Sequence, residues 1–586
     1  MASAVELNLD FDMEGHPPLA GPACTSRRKK TPRDAYEDGD GTTMPASWVA
    51  KIKARGRWDQ TITPDTTLQP SSLPMPVQVA PVAELEPFFT HLSRDHSAAA
   101  FSSNFDSNHD IIEPDETQDD NQNQDEDVYT PGHEPFYRTE YLEFPRGVVY
   151  ADRRMDLCKM VVGPTSIVRL MTSLESNTFI EHFLLGNNII GPTGADAIAA
   201  FLAKRPRAMR TWYLAGNCID TAALETLVDA MVRSPVIENL WLKRNPLGPD
   251  SDQALFKLLS QLPRLRTLDL DQTDLGDGCL ARLFSKLCDH FSDFLPIAPP
   301  SPLHSLYLNG VGILPGPVSP STSSAITHIS TFLAQQTCQL TSLYLANNLL
   351  GDAGLATLAA GLRKNTSLQR LSLLSVGGSS TGFSVLFSAL ASHPSIRTLD
   401  ASQSFSTIDL GMQFNAIDDA AVPAILELLS SSETLAYLDL GFTYISQSSL
   451  NTISRAVAGS KSLLYYNARS LLDNRSRDAR QIHSEANKLK TAVKDRLAEN
   501  VAREYDGMSY DVWTGSERRW LVNDREDVRA IDSVYRNRDA GMARRGQMVL
   551  KKWWTEEDES ILKAASGRSC SLTESMKSGV EVEAAG

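Results

Sequence analysis

Apolar residues recur along the middle of the chain in a pattern that repeats itself. In the clearest copies, apolar residues at the first, fourth and sixth positions precede an asparagine at the ninth, as in Ile237, Leu240, Leu242 and Asn245. The ninth positions of successive copies lie 28 or 29 residues apart, except at three gaps of 37 to 39 residues. This period predicts an array of stacked units rather than a conventional globular domain.

Each copy is followed by a stretch in which apolar residues recur at helical spacing, such as Leu355, Leu358 and Leu362. One unit is therefore predicted to be a short strand, a turn and a helix. Because a helix separates each strand from the next, the strands must run parallel. Helices are wider than the spacing of paired strands, so helices on one side bend the stack. We predict an α/β solenoid, a horseshoe with a concave parallel β-sheet and convex helices.

The stretch IEHFLLGNNIIGPTGA at residues 180–195 is close to a known repeat consensus. It resembles the ribonuclease-inhibitor-like subtype of the leucine-rich-repeat family, which also occurs in Ran GTPase-activating proteins and in the sensor regions of nucleotide-binding immune receptors. The resemblance covers residues 152–472, about 11 repeats. It implies the horseshoe fold and is much less specific for function.

Five copies end in a residue other than asparagine. The asparagine of this repeat normally bonds to the backbone of neighbouring turns, so we expect a looser turn ladder at these copies. They end in Thr273, Val311, Val376, Ser404 and Thr443. Three insertions, at Phe291–Pro302, Leu314–Ser324 and Phe405–Phe414, interrupt the repeats and are either recognition loops or tolerated insertions. The first two are rich in proline and serine and are expected to be loops at the rim of the horseshoe.

The flanks of the repeats differ from them in composition. We predict a mostly disordered, acidic and Pro/Ser-rich region at 1–135, a capping segment at 136–151, a helical basic extension at 473–552 and a disordered tail at 553–586. In the extension, Ile482, Leu489 and Leu497 belong to an amphipathic helix that would cap the array or pair with another helix.

Strand residues alternate between the core and the opposite face, so the residues between the core leucines must point into the concave opening. Aromatic and acidic residues recur there, and such residues are typical of a surface that grips a basic protein or peptide. The candidate partner-binding residues are Tyr213, Trp241, Asp269, Asp271, Tyr307, Tyr344, Asp400 and Asp439. The alternative is that the aromatic residues pack against one another or against a tail of the same chain.

Two segments are candidates for such self-docking. Residues 475–552 contain 18 basic and 13 acidic residues, a net charge of +5, whereas the whole chain carries −16. This basic tail and the acidic sheet could attract within one molecule or between two. Trp48–Trp58 is a basic island flanked by aromatic residues that could dock onto a partner or onto the acidic concave face.

Composition narrows the partners and the compartment. An acidic chain is a poor binder of nucleic acid or anionic lipid, so we expect a protein partner and no nucleic acid, membrane or small-molecule substrate. The 7 cysteines form no CxxC pair, and the first residues lack the apolar core of a signal peptide. We expect a cytoplasmic protein, or a nuclear one if the basic cluster Arg27–Arg33 acts as a localisation signal.

Catalysis is not indicated by any motif. HExxH, GxSxG and Walker A sequences are absent, and the 11 histidines show no metal-ligand spacing. We therefore predict a non-catalytic interaction scaffold or adaptor with no cofactor and no metal. The alternative implied by the resemblance is a GTPase activator of the Ran type, for which Arg244, beside Asn245, is a candidate catalytic arginine.

Overall fold

The computed structural model describes residues 79–94, 139–292, 300–316, 323–403, 415–470, 472 and 479–535. The predictions for Arg27–Arg33, Trp48–Trp58 and the tail 553–586 concern residues outside these ranges. In the described ranges, a sheet of 13 strands follows the order of the chain. The strands are β1 Tyr141–Glu143, β2 Val148–Tyr150, β3 Arg154–Asp156, β4 His182–Leu184, β5 Thr211–Tyr213, β6 Asn239–Trp241, β7 Thr267–Asp269, β8 Ser305–Tyr307, β9 Ser342–Tyr344, β10 Arg370–Ser372, β11 Thr398–Asp400, β12 Tyr437–Thr443 and β13 Tyr465–Ser470.

The α-helices of the described residues are α1 Val82–Ser93, α2 Gly163–Ser173, α3 Gly191–Lys204, α4 Thr221–Met231, α5 Asp252–Gln261, α6 Gly276–His290, α7 Ala325–Leu333, α8 Gly351–Leu362, α9 Ser380–Leu390, α10 Val422–Ser431, α11 Gln447–Gly459, α12 Ala479–Glu504, α13 Tyr510–Ser516, α14 Arg519–Val522 and α15 Arg525–Arg529. Helices α2 to α11 alternate with strands β3 to β13 and form a second layer on one side of the sheet. No helix in the described ranges has the length and apolar composition needed to cross a membrane.

The strands from β3 onward pair in parallel, with equivalent residues side by side. Trp212 pairs with Leu240, and Leu240 pairs with Leu268, so the core position of one repeat lies beside that of the next. These side chains are fully buried and form one cluster along the array. Burying such a side chain contributes about 2 kcal/mol, which no repeat collects without its neighbours. The predicted horseshoe with its concave parallel sheet is confirmed.

The asparagine side chains form a ladder between the turns. Asn217 donates from Nδ2 to the carbonyl oxygen of Leu185 (2.7 Å) and accepts at Oδ1 from the backbone N–H of Asn188 (3.0 Å). The expectation that the copy ending at Ser404 lacks this residue is wrong. Asn415 donates to the carbonyl oxygens of Leu373, Ala401 and Ser402. The insertion at Phe405–Phe414 falls between the strand and its ladder residue, so counting to the ninth position misses the asparagine.

The first repeat is covered by elements on both layers. Strands β1 and β2 form an antiparallel hairpin, and β2 pairs antiparallel with β3. Helix α1 packs against α2 and buries Leu85, Phe88, Phe89 and Leu92. This helix lies within the region predicted to be mostly disordered. Its apolar spacing was obscured because Pro81 precedes the helix and Pro87 lies inside it.

The last repeat is covered by the long helix α12, which contains the predicted amphipathic helix. Val493, Leu497 and Val501 are buried, and α12 packs along α11. Asn500 donates from Nδ2 to the carbonyl oxygens of Ser460 (3.1 Å) and Leu463 (2.7 Å), and so satisfies backbone acceptors just before β13. The sequence left open whether this helix caps the array or pairs with another helix, and these contacts correspond to capping.

We predict that Asn415→Ala lowers the free energy of unfolding by about 2–4 kcal/mol. The change removes the donor to three buried carbonyl groups and the acceptor for the backbone N–H of Val376. Denaturant unfolding followed by circular dichroism measures the loss. Asn487→Ala, on the exposed face of α12, is the matched control and should change stability by less than about 0.5 kcal/mol. Equal midpoints for the two variants would contradict the role of Asn415.

Candidate functional site

Four predicted aromatic residues lie side by side on the concave face. Tyr213, Trp241, Tyr307 and Tyr344 stand at equivalent positions of β5, β6, β8 and β9. Neighbouring ring centroids are 6.1, 5.1 and 4.2 Å apart along this order, and the last two rings are stacked. Trp241 and Tyr307 meet across β7 because Asp269, between them, is shorter. We call these four side chains the aromatic row.

The aromatic row is covered rather than open. Its members retain 1%, 1%, 5% and 2% of their exposure, so the expectation that they project into an open hollow is wrong. The cover is formed by residues 519–535, which we call the C-terminal strap. It follows α12 and α13 and crosses the concave face toward the first repeats. Partner binding by the aromatic row stays a prediction, and it requires the strap to move.

The beginning of the strap is held through its main-chain carbonyl groups. The carbonyl oxygen of Leu521 accepts hydrogen bonds from Arg370 Nε (2.9 Å) and Thr398 Oγ1 (2.8 Å). The carbonyl oxygen of Val522 accepts one from the Tyr344 hydroxyl (2.8 Å). The side chains of Leu521 and Val522 are buried in a cluster that includes Trp513 of α13. This end is therefore fixed both to the sheet and to the element that precedes it.

The middle of the strap places an apolar and an acidic side chain against the sheet. Ile531 is fully buried in one cluster with the aromatic row. Asp527 is 3% exposed and faces the hydroxyl groups of Thr267 and Ser305. Beside it, Glu526 forms an ion pair with Arg266 at 2.9 Å on the surface.

The end of the strap is held by the residues around β2 and β3. Arg154 donates to the carbonyl oxygen of Asp532 (2.5 Å), and the Tyr150 hydroxyl accepts from the backbone N–H of Val534 (3.0 Å). Arg529 forms an ion pair with Asp152 at 2.7 Å. The strap thus contacts the sheet from β11 back to β2.

The first pair of predicted carboxylates is used inside the sheet. Lys243 Nζ lies 3.6 Å from Asp269 Oδ2, and both side chains are almost fully buried. Asp271 accepts hydrogen bonds from the backbone N–H (2.7 Å) and Nδ2 (2.9 Å) of Asn309. Burial and the neighbouring Asp269 raise the pKa of Asp271 to about 7. The sequence pattern predicts exposed carboxylates at these positions. That expectation is wrong, because both groups are buried.

The second pair of predicted carboxylates, near the last repeats, also accepts hydrogen bonds within the sheet. Asp400 Oδ1 accepts from the backbone N–H (3.0 Å) and hydroxyl (2.6 Å) of Ser402. Asp439 Oδ1 accepts from the backbone N–H of Gly441 (2.8 Å) and Nδ2 of Asn467 (3.0 Å). Burial and the neighbouring Asp439 raise the pKa of Asp400 to about 7. Both pairs hold turns at the ends of strands, and the expectation of exposure is wrong for them as well.

The alternative in which the aromatic residues pack against one another and against a tail of the same chain corresponds to the structure, and the strap lies within the predicted basic extension. The sequence does not indicate which residues of that extension dock, and net positive charge is not their common feature. The part that docks between 519 and 535 instead carries four acidic and three arginine residues. Its apolar residues Leu521, Val528, Ile531 and Val534 recur at intervals of seven and three residues, which is helical spacing, whereas the structure divides the segment between the short helices α14 and α15.

The catalytic alternative gains no geometric support. Arg244 lies in the turn after β6 with φ of 59°, and its backbone N–H donates to the carbonyl oxygen of Asp271 (2.8 Å). In the described residues, no group of three or more histidine, cysteine, aspartate or glutamate residues is placed to hold a metal ion.

Known proteins with similar sequences match the repeats. The chain is 27% identical over 301 residues to the ribonuclease inhibitor of Sus scrofa, which covers 48% of this chain and 60% of that protein. It is 25% identical over 235 residues to the Tonsoku-like protein of Mus musculus, covering 37% and 17%. It is 33% identical over 228 residues to NACHT, LRR and PYD domains-containing protein 12 of Mus musculus, covering 38% and 20%.

Residues 154–470 form a leucine-rich-repeat domain of the ribonuclease-inhibitor-like subtype. No family model matches the chain. The chain spans 60% of the pig relative and at most a fifth of the two mouse relatives.

We predict that Ile531→Asp releases the strap from the leucine-rich-repeat domain. A carboxylate in the buried apolar cluster that Ile531 shares with the aromatic row would cost about 3 kcal/mol, which corresponds to roughly 150-fold faster hydrogen exchange in the strap. Mass spectrometry of peptides from 519–535 measures the change, with exchange in the repeats as internal reference.

The matched control for this substitution is Val512→Asp. Val512 lies on α13 shortly before the strap and is 50% exposed, so the same carboxylate there should leave strap exchange unchanged. Slow strap exchange in Ile531→Asp, or equally fast exchange in both variants, would contradict the docking contact.

We also predict that strap docking weakens as the pH rises. Burial and the neighbouring Asp524 raise the pKa of Asp527 from 3.8 to about 6, and Thr267, Ser305 and Arg266 only partly offset this. The docked strap therefore retains a proton that the released strap loses, so the docking free energy falls as the pH passes from about 4 to above 6.

The test compares strap exchange in wild type and Asp527→Asn at the same pH, so that intrinsic exchange rates cancel. We expect the wild-type strap to exchange about a hundredfold faster than the variant near pH 7.5, and less than about tenfold faster near pH 4.5. The other buried acids, Asp271 and Asp400, are common to both proteins. A ratio that does not change with pH would contradict the assignment to Asp527.

Proposed function

We propose that the protein is a non-catalytic interaction scaffold or adaptor whose concave face binds a segment of another protein. The observation that carries this proposal is the strap itself. The concave face already holds a polypeptide, through the aromatic row and through hydrogen bonds to main-chain groups. A face that binds one polypeptide in this way has the chemistry needed to bind another.

The composition of the face supports this proposal. Tyrosine and tryptophan provide large contact areas and lose little conformational entropy on binding, and they are enriched where binding energy concentrates. The leucine-rich-repeat strands hold these side chains on a rigid sheet, which reduces the entropic cost further. The pig relative is, by its name, an inhibitor of ribonuclease, and we extend the general role of protein binding from it to this chain.

The predicted basic character of the partner stays a prediction. Asp269, Asp271, Asp400 and Asp439 all accept hydrogen bonds within the sheet, so little of their charge is free to select a basic ligand. We propose that aromatic contact and main-chain hydrogen bonding contribute more to binding than net charge does. The Ran-type GTPase activator and a cytoplasmic or nuclear location also stay predictions from sequence.

We expect peptides selected from a displayed random library on the Ile531→Asp variant to bind the aromatic row. Adding Tyr213→Ala, Trp241→Ala and Tyr307→Ala to that variant should weaken them by at least about a hundredfold, because truncating one aromatic hot spot typically costs about 2 kcal/mol. Fluorescence anisotropy measures the affinity.

Phe442→Ala in the same background is the control, because Phe442 is an aromatic residue of β12 that is 37% exposed and lies outside the aromatic row. The library peptides should bind this control variant with the same affinity as they bind Ile531→Asp alone. A library that yields no ligand, or ligands that bind the triple variant with undiminished affinity, would overturn the proposed function.

A further inference from the structure

The strap is held in a way that another segment could imitate. Arg154 donates a hydrogen bond to a main-chain carbonyl group of the strap, and the Tyr150 hydroxyl accepts one from a main-chain N–H of the strap. These contacts therefore do not depend on the strap's side chains.

The side chains of the strap contact the face at several places: the Asp527 carboxylate faces Thr267 and Ser305, and Val534 lies in one apolar cluster with Tyr141, Val148 and Tyr150. Three further side-chain contacts follow a simple pattern. An acid meets Arg266, a base three residues later meets Asp152, and an aliphatic residue two further on meets the aromatic row.

The strap also fits the middle of the face incompletely. In the described part of the chain, the Trp241 indole Nε1 and the Asn239 side-chain carbonyl oxygen are buried without a hydrogen-bond partner. Asp527 brings a carboxylate into the same buried region. Buried polar groups without partners are costly, so a segment that supplies an acceptor for the indole and a donor for the amide would bind better than the strap.

The two ends of the strap are anchored differently. Leu521 and Val522 belong to the cluster around Trp513 and stay next to α13. From Asn523 onward the strap is held by the face and by the β1–β2 hairpin, apart from an ion pair between Arg525 and Glu517, so this part can leave while the first end remains attached. Such a tethered segment is present at a high effective concentration, and an external ligand must overcome it.

We propose that the strap is an intramolecular competitor of the partner, and that the partner binds through a segment that repeats the strap's pattern of an acidic residue, a basic residue three positions later and an aliphatic residue two positions after that. In the strap these are Glu526, Arg529 and Ile531. This inference rests on the proposed function and adds the chemistry of the ligand and the means by which access is controlled.

The probe is a synthetic, fluorescently labelled peptide of residues 518–535. It should bind full-length Ile531→Asp, whose own strap is released, and bind wild type about a hundredfold more weakly, because the tethered strap occupies the face. A peptide that carries the Ile531→Asp change should not bind either protein. Asp527→Asn in the full-length protein should weaken peptide binding further, since its strap docks more tightly.

A second release variant protects the test against misfolding of the first. Arg529→Glu places like charges opposite Asp152 at a partly exposed ion pair and leaves Ile531 in place. It should also admit the peptide, whereas Val512→Asp should behave as wild type. Equal binding of the peptide to wild type and to both release variants would show no competition and would overturn the inference.

Two further outcomes separate this inference from the proposed function. If library peptides bind the aromatic row but the strap peptide does not, the proposed ligand chemistry is wrong and the proposed function stands. If neither class binds, the proposed function fails. A wild-type dimer in light scattering that Arg529→Glu converts to monomer would place the strap on a second copy and overturn the intramolecular arrangement.

Discussion

The structure depends on the sharing of one apolar core between neighbouring repeats. No repeat can bury its own leucine positions, so Leu240 is covered only because Trp212 and Leu268 lie beside it in register. The same register forces every second strand residue to the opposite face. The aromatic row is thus a direct result of how the core stacks: paired strands bring Tyr213 to Trp241 and Tyr307 to Tyr344, and the short Asp269 lets Trp241 reach Tyr307.

Periodicity in the sequence was sufficient to predict the solenoid, the parallel sheet and the membership of the aromatic row. These features follow from local rules of alternation and equal repeat length. The position of Asn415 was missed because an insertion breaks the count, although the hydrogen-bonding demand of the turn selects an asparagine there. Helix α1 was missed because two prolines obscure four buried apolar residues.

A tail of the same chain on the candidate site was one of two predicted alternatives, but the choice between them and the identity of the covering residues were beyond prediction. Alternation determines which way Tyr213 and Trp241 point, but whether that side faces solvent depends on a contact with Ile531, some three hundred residues away in the chain. Nothing in the local pattern encodes such a long-range contact. For the same reason the aspartates appeared as free charges, whereas Asp271 accepts a hydrogen bond from Asn309 of the next repeat and Asp400 is buried beside Asp439 of the next strand.

The strap also has a mechanical consequence for the horseshoe. The curvature of a solenoid is the sum of small rotations between neighbouring repeats. The strap contacts Thr398 near one end of the arc and Tyr150 near the other, so it spans the arc as a chord. This connection limits how far the rotations between repeats can change. When the chord detaches at Tyr150, the arc gains freedom to widen or tighten, and the radius of the leucine-rich-repeat domain can adapt to the width of whatever enters it.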